Sequence, residues 1–183
     1  MRLVDTTITD VKIIEPTVYG DARGFFFESF NEKQFAELTG ITDRFVQDNH
    51  SKSARGVLRG LHYQIDQSQG KLVRVVAGEV FDIVVDLRRQ SPTFGAHVAV
   101  FLSAENKKML WVPKGFAHGF LVTSDEAEFL YKTTDYYAPK HERSLRWNDP
   151  ALTIDWPIAL SGEPQLKTAD ANAPLLADAE TFV

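Results

Sequence analysis

The middle of the chain is a succession of short segments rich in Val, Ile and aromatic residues, and this pattern constrains the fold most. KLVRVVAGEVFDIVVDLR (residues 71–88) comes first, and AGE at 77–79 divides it like a hairpin turn. HVAVFLS, MLWVP, HGFLVTS and EFLYKTTDYY follow, separated by AENKK, KGFA and DEA. Many short strands with short connections, and no regular alternation with helices, indicate an antiparallel sandwich or barrel. We therefore expect a mainly β fold in one domain over residues 1–183.

The second arm of the first stretch has the period of a strand. Residues on one face are all apolar: Phe81, Ile83, Val85 and Leu87. They alternate with Asp82, Val84 and Asp86, which include both carboxylates. One face should therefore be apolar and the other should carry carboxylates. For Asp82 and Lys71 the default is solvent exposure, and an interior position requires a barrel lumen.

Helical signals are few. NEKQFAELTG offers Asn31 as an N-cap, Gln34 three residues later and Gly40 just past the end, which predicts one short helix of about two turns. A second helix is expected near Pro174, with Asn172 as its cap.

Composition excludes several classes of function. A formal net charge of -5 without a Lys/Arg run argues against nucleic acid or an anionic membrane as the main partner, although local cations could hold an anionic small molecule. Without cysteine the chain can form no disulfide, thiolate zinc site or catalytic thiol. No apolar run approaches the roughly 18 residues of a membrane span, and the N-terminus lacks the apolar core of a signal peptide. We expect a soluble cytoplasmic protein.

Two histidines lie in informative contexts. Gly56 stands six positions before His62, and Pro113, Gly115 and His118 have the spacing P-x-G-x-x-H. Together these resemble the two sequence motifs of the cupin superfamily, a double-stranded antiparallel β-helix or jelly-roll barrel. A metal-binding cupin would normally carry a second histidine two residues after the first and a glutamate soon after. Here Gln64 occupies the first position and IDQSQG supplies no glutamate, so we expect no metal.

The chemical role of His62 stays open at this point, because a satisfied histidine inside a barrel is the simplest interpretation. In an extended segment Gly60, His62 and Gln64 share one face, which can line a lumen if Leu61 packs outward. Strict alternation would aim Arg59 away from His62 unless Gly60 forms a bulge. We expect three tyrosines to lie in the core: Tyr131, Tyr136 and Tyr137. For Tyr136 and Tyr137 the alternative is a surface on which a planar ligand stacks.

Ordered motifs over nearly the whole chain resemble one cupin-fold family, the dTDP-4-dehydrorhamnose 3,5-epimerases of the dTDP-L-rhamnose pathway. The motifs are DARGFFFESF, FVQDNHSKSARGVLRGLHYQ, GKLVRVVAGEVFDIVVDLRRQSPTFG, LWVPKGFAHGFLV, EFLYKTTDYYAPKHE and LKTADANAP. The resemblance implies a cofactor-free homodimeric isomerase. It would invert C3 and C5 of dTDP-4-dehydro-6-deoxy-D-glucose to give dTDP-4-dehydro-L-rhamnose, a precursor of cell-surface glycans such as lipopolysaccharide.

The resemblance also implies roles for individual residues. His62 would be the base and Tyr131 the acid, while Asp170 would orient the imidazole and favour its protonated form. Lys71 would stabilise the developing enolate oxygen. A larger set would line the substrate site, with Tyr137 stacking on thymine and the arginines suited to diphosphate: Arg23, Glu28, Gln47, Asn49, Arg59, His118, Tyr137, Glu142 and Lys167. Arg23 and Glu28 are hypothesised to reach the partner's site through an exchanged N-terminal strand, and the chain would end in a C-terminal extension.

Three other functions compete with this interpretation. A relative that inverts only C3 or only C5 would use the same base and acid. A non-catalytic cupin that binds a nucleotide-sugar would need neither. A metal-dependent cupin oxygenase ranks third, because Gln64 replaces a ligand.

Overall fold

The computed structural model describes residues 1–183, which form two facing antiparallel sheets and a short separate hairpin. The six-stranded sheet contains, in spatial order, β1 (Arg2–Val4), β2 (Lys12–Glu15), β10 (Met109–Val112), β7 (Lys71–Ala77), β12 (Glu126–Thr133) and β5 (Gln47–Ala54). The five-stranded sheet contains β13 (Glu142–Ser144), β6 (Leu58–Gln64), β11 (Phe116–Val122), β8 (Glu79–Asp86) and β9 (His97–Ser103). β3 (Tyr19–Asp21) and β4 (Gly24–Phe26) form the hairpin. The expected mainly β, cupin-type antiparallel barrel is confirmed.

Apolar side chains fill the space between the two sheets and cover the outer face of the smaller one. Val73, Val84, Leu110 and Phe129 belong to the cluster between the sheets. A second cluster packs the outer face of the five-stranded sheet against the C-terminal segment and includes Leu61, Tyr63, Ile83, Leu121 and Trp156. Full burial of a large apolar side chain contributes roughly 1.5–3 kcal/mol, so these two layers are the main source of stability.

The turn at residues 77–79 does not form the predicted hairpin. β7 pairs with β10 and β12, whereas β8 pairs with β9 and β11, so consecutive strands lie in different sheets. Gly78 marks the crossing with a φ of 71°, and a Cβ there would collide with the carbonyl oxygen of Glu126. Glycine is needed for both reasons. Local sequence shows a turn here but not which strands will pair.

The carboxylates of β8 are buried rather than exposed. Asp82 and Asp86 have no accessible surface, because the opposite sheet and neighbouring loops cover both. Asp86 accepts hydrogen bonds from Arg88, Ser91 and Thr93. Burial alone would raise the pKa of the Asp86 carboxyl, but these hydrogen bonds outweigh it and lower the pKa to about 2. The default of solvent exposure is therefore wrong for this strand.

The first predicted helix is confirmed as α1 (Glu32–Thr39). The Asn31 side chain caps it by accepting from the backbone N–H of Gln34, and Gly40 ends it with a φ of 74°. Two further helices are single turns, α2 (Ile158–Ser161) and α3 (Thr168–Ala171). None of the helices is long and apolar enough to cross a membrane.

The helix expected near Pro174 is wrong. Asn172 ends α3 instead of starting a helix, since its N–H donates to the carbonyls of Thr168 and Asp170. The following backbone is tied to a neighbouring loop: the Pro174 carbonyl accepts from the N–H of Arg146, and the Leu176 N–H donates to Asp149. These long-range partners replace the bonds that a helix would supply.

Candidate active site

A cavity of about 460 Å³ opens between the two sheets, and chemically active side chains converge on it. The five-stranded sheet contributes Arg59, His62 and His118, while the six-stranded sheet contributes Lys71 and Tyr131. A smaller adjoining cavity of about 270 Å³ shares four lining residues with it: His62, Lys71, Tyr131 and Glu142. The two cavities are therefore parts of one continuous cleft.

A bulge at Gly60 brings Arg59 and His62 to the same cavity. His62 pairs with His118 and Arg59 with Phe120, so two residues of β6 lie opposite the single residue Gly119 of β11. The extra residue resets the alternation: Leu61 packs in the outer cluster, while Arg59 and His62 both line the cavity. A Cβ on Gly60 would lie 2.6 Å from the Gly119 Cα, and Gly60 has a φ of 123°. Glycine at this position therefore lets the Arg59 and His62 side chains share one pocket.

His62 is paired with Asp170 across the cavity wall. Its Nε2 lies 2.7 Å from Oδ1 of Asp170, and the other carboxylate oxygen accepts from the Gly60 N–H at 3.2 Å. Asp170 is buried in α3, where burial would raise the pKa of its carboxyl, but the His62 hydrogen bond and charge hold the pKa below its usual value. An ionised carboxylate bonded to this ring nitrogen fixes the tautomer and the orientation of the imidazole. The His62 side chain keeps 24% of its surface exposed, so a ligand in the cavity can reach the ring.

Tyr131 faces His62 from the opposite sheet. Both side chains line the large cavity, with Tyr131 on β12 and His62 on β6. Burial raises the pKa of the Tyr131 phenol above its ordinary value, and the charge of Arg59 partly opposes this shift. The hydroxyl therefore holds its proton near neutral pH and can act as a proton donor.

Lys71 is the cation inside the cleft whose titration is most perturbed. Burial lowers the pKa of its ammonium to about 8, although the carboxylates of Glu142 and Asp82 act in the opposite direction. The group is thus partly deprotonated in mildly alkaline solution. Near neutral pH it supplies a positive charge that can stabilise an anion formed in the cavity.

A second histidine–aspartate pair lies next to the first. The Nε2 of His118 is 2.9 and 3.0 Å from the two carboxylate oxygens of Asp82. Burial raises the pKa of Asp82 even though His118 and Lys71 oppose this. Asp82 thus holds the His118 ring in place at the cavity wall. Strand alternation places the Asp82 carboxylate on one face of β8, but it does not predict the pairing of Asp82 with His118.

Residues expected at the nucleotide end cluster around the smaller cavity. Gln47 and Asn49 lie on β5, and the Gln47 amide donates to Asn49 at 2.9 Å. The backbone N–H of Tyr137 donates to Gln47 at 3.1 Å, and its hydroxyl donates to Glu142 at 3.2 Å. Lys167 lines the larger cavity beside Asp170, 3.6 Å from its carboxylate. The structure therefore brings these predicted residues to the cleft.

Arg23 and Glu28 do not line the cleft of their own chain. Arg23 lies in the turn of the β3–β4 hairpin, where it forms a 2.6 Å salt bridge with Asp21. Glu28 accepts hydrogen bonds from Asn31 and Gln34 beside α1. The hairpin carries large apolar side chains without cover, with Phe25 63% and Phe26 67% exposed.

Several lining residues were missed by the sequence analysis. Ser51 lies on β5 in register with Gln47 and Asn49, so strand periodicity could have included it. Gln165 lines the same cavity from an irregular segment and has no comparable sequence signal. No group of three or more His, Asp or Glu side chains is arranged to hold a metal ion.

Known proteins share both the sequence and the fold. A family model described as dTDP-4-dehydrorhamnose 3,5-epimerase matches residues 5–178. A dTDP-4-dehydrorhamnose 3,5-epimerase from Pseudomonas aeruginosa is 60% identical over 182 residues, covering 100% of this chain and 99% of the relative. The crystal structure of a dTDP-6-deoxy-D-glucose-3,5-epimerase from Legionella pneumophila, in complex with dTDP-4-keto-L-rhamnose, superposes with a TM-score of 0.94. It is 59% identical, with 98% of this chain and 94% of that chain covered.

A more distant neighbour has a narrower activity. The structure of a 3′-monoepimerase from Streptomyces bikiniensis in complex with dTDP-quinovose has a TM-score of 0.88 at 36% identity, covering 97% of this chain and 88% of that chain. The fold alone therefore accommodates one inversion or two. The family match over residues 5–178 and the higher identity to 3,5-epimerases place the chain in their family. The chain belongs to the dTDP-4-dehydrorhamnose 3,5-epimerase family.

Proposed function

We propose that the protein is an isomerase that inverts C3 and C5 of dTDP-4-dehydro-6-deoxy-D-glucose, giving dTDP-4-dehydro-L-rhamnose. The observation that carries this proposal is the placement of His62 and Tyr131 on opposite sheets of one cavity. Inversion at a carbon requires a base on one face of the sugar and an acid on the other. The Legionella relative holds dTDP-4-keto-L-rhamnose in the same fold.

The proton transfers use the C4 ketone of the substrate. His62 takes the proton from C3 or C5, and the electron pair of the broken C–H bond moves into an enolate whose charge lies on the C4 oxygen. Since Nε2 of His62 is engaged with Asp170, Nδ1 is the nitrogen that accepts the proton. Tyr131 then returns a proton to the same carbon from the opposite face, and the ketone is restored. Exchange with water returns His62 and Tyr131 to their starting states, and no external cofactor is required by this balance.

Lys71 is assigned to the enolate. Its ammonium supplies positive charge inside a partly buried cavity, where a fixed cation stabilises an anion more strongly than in water. The charge appears on the C4 oxygen only during the reaction. Lys71 therefore lowers the barrier rather than tightening substrate binding.

The nucleotide occupies the rest of the cleft. Arg59, His118 and Lys167 supply donors and positive charge for the diphosphate, with Arg59 able to make bidentate contacts. Tyr137 presents an exposed ring at the smaller cavity and stacks on thymine, flanked by Gln47, Asn49 and Glu142. We place the reaction in the cytoplasm, and the product feeds a cell-surface glycan such as lipopolysaccharide.

The active unit is proposed to be a homodimer of single-domain chains. The exposed apolar hairpin of residues 19–26 needs a partner surface, and Arg23 and Glu28 on this arm reach no part of their own cleft. An exchanged N-terminal arm would bury the hairpin and deliver both residues to the neighbouring site.

Complementation tests this exchange. Arg23→Ala and His62→Ala homodimers are each expected to be weakly active, but mixing and reassociating them should restore activity. A heterodimer has one site with both His62 and the partner arm's Arg23, so an equal mixture should reach about one quarter of the wild-type rate. No recovery in verified heterodimers, or full activity in separated monomers, would contradict the exchange.

Proton NMR in heavy water tests the reaction itself. Turnover should place deuterium at both C3 and C5, because each proton returned by Tyr131 exchanges with solvent. Deuterium confined to one carbon would instead assign the chain a single inversion, like that of the 3′-monoepimerase from Streptomyces bikiniensis. Binding of the nucleotide-sugar without any exchange would indicate a non-catalytic cupin.

A further inference from the structure

Gln64 occupies the position of the missing metal ligand, and its amide makes three hydrogen bonds to the backbone. Nε2 donates to the carbonyl of Gln67 at 2.8 Å and to the carbonyl of Tyr136 at 3.2 Å. Oε1 accepts from the N–H of Ala138 at 2.9 Å. The side chain is only 5% exposed, so water does not compete for these partners. Reversing the amide would oppose donor to donor and acceptor to acceptor, which fixes its orientation.

These contacts bracket Tyr137 on both sides. One side chain holds the carbonyl that precedes this residue and the N–H that follows it, in the connection between β12 and β13. The Tyr137 ring itself is more than half exposed and belongs to none of the apolar clusters. A connection with few apolar contacts opens easily unless polar contacts restrain it. Gln64 therefore supplies much of the order in this segment, together with Gln47, which accepts from the Tyr137 N–H.

We infer that Gln64 is a positioning residue that pre-orders Tyr137 as the platform for the nucleotide base. The inference rests on the proposed function, in which Tyr137 stacks on thymine. If the loop is ordered before the nucleotide binds, binding loses no free energy in ordering it, and the affinity is higher. Gln64 is engaged entirely with backbone, so it acts on nucleotide binding and not on proton transfer. At the position where a metal-binding cupin carries a ligand, Gln64 instead binds the backbone of the loop between β12 and β13.

The first test compares Gln64→Met with the unmodified enzyme. Methionine keeps the volume and loses all three hydrogen bonds, so the Kd for dTDP should rise about tenfold and KM should follow. We expect kcat to stay within about threefold, because the groups around His62 are untouched. Inorganic pyrophosphate, which lacks the base, should bind both proteins equally. Gln90→Met, at an exposed position outside the cleft, controls for the substitution and should change nothing.

A double-mutant cycle with Tyr137→Ala tests whether Gln64 acts through the ring. Tyr137→Ala should weaken dTDP by about tenfold or more, since it removes the stacking surface. In the Tyr137→Ala background, Gln64→Met should raise the Kd for dTDP by less than about twofold further. The two losses are non-additive if Gln64 acts only through the Tyr137 ring. Gln64→Asn, too short to reach its three backbone partners together, replaces Gln64→Met if that variant fails to fold.

Several results would overturn the inference. Additive losses in the cycle, an unchanged Kd for dTDP in folded Gln64→Met, or a fall in kcat at constant KM would each do so. An unchanged Kd in Tyr137→Ala would remove the stacking role and this inference together. All of these outcomes leave deuterium exchange by the unmodified enzyme intact, so they are distinguishable from a failure of the proposed function.

Discussion

Replacing His62 by alanine is expected to reduce turnover by about 10³–10⁴-fold while leaving nucleotide binding within about threefold of wild type. The imidazole is the group that takes the proton from C3 and C5, and its loss leaves the cavity without a base on that face. The diphosphate and base contacts come from other residues, so dTDP should bind as before. NMR at saturating substrate measures turnover as the rate of deuterium incorporation at both carbons. Calorimetric titration with dTDP measures nucleotide binding separately.

His50→Ala is the matched control for that variant. His50 also pairs with a carboxylate, at 2.9 Å from Glu128, but it lies exposed on β5 away from the cleft lining. Turnover should be unchanged in this variant. Deuterium exchange at an undiminished rate in folded His62→Ala protein would remove His62 from the role of base. Equal loss at C3 and C5 is also expected, because one imidazole serves both carbons.

Features encoded by local periodicity were predictable from the sequence. Asn31, Gln34 and Gly40 place both ends of α1, since capping depends on neighbouring backbone groups. The alternation around His62 correctly places this ring and Gln64 toward the cleft and Leu61 in the outer cluster. Short strands with short connections were enough to indicate an antiparallel barrel, because few other folds bury so many half-apolar segments.

Features that depend on strand pairing were not predictable in the same way. The turn at Gly78 looks like a hairpin locally, yet it joins two sheets, because pairing is decided by distant partners. Asp82 follows the alternation of an exposed face. It is buried nevertheless, because His118 on another strand forms a hydrogen bond with its carboxylate. Asn172 and Pro174 have the chemistry of a helix start, and contacts with Arg146 and Asp149 override it.

The position of Arg59 depended on one backbone feature. Sequence alternation allowed two outcomes, and the bulge opposite Gly119 selects the one in which Arg59 and His62 share a cavity. Residues of the N-terminal arm illustrate the opposite limit. Family resemblance assigns Arg23 to the site, but within one chain its guanidinium is bound to Asp21, so its assignment depends on a second subunit.

Lys71→Met is expected to lower kcat by about 10²–10³-fold and to change the pH profile. Burial lowers the pKa of the Lys71 ammonium to about 8, so the charge is present below that pH and lost as pH rises through it. In the wild type kcat/KM should therefore fall above about pH 8. Tyr131 does not produce this limb, because burial raises the pKa of its phenol and the proton is retained. Lys71→Met, which has no ammonium to titrate, should lose the alkaline decline along with most of its rate.

The matched control is Lys33→Met on the exposed face of α1, which should keep both the rate and the profile. An alkaline limb that persists unchanged in Lys71→Met would assign that titration to another group and remove Lys71 from the enolate. A raised KM with unchanged kcat would instead make Lys71 a binding residue. The predicted combination, a lower kcat without the alkaline limb, follows only if the cation acts on charge that forms during the reaction, because ground-state contacts alter KM and leave kcat unchanged.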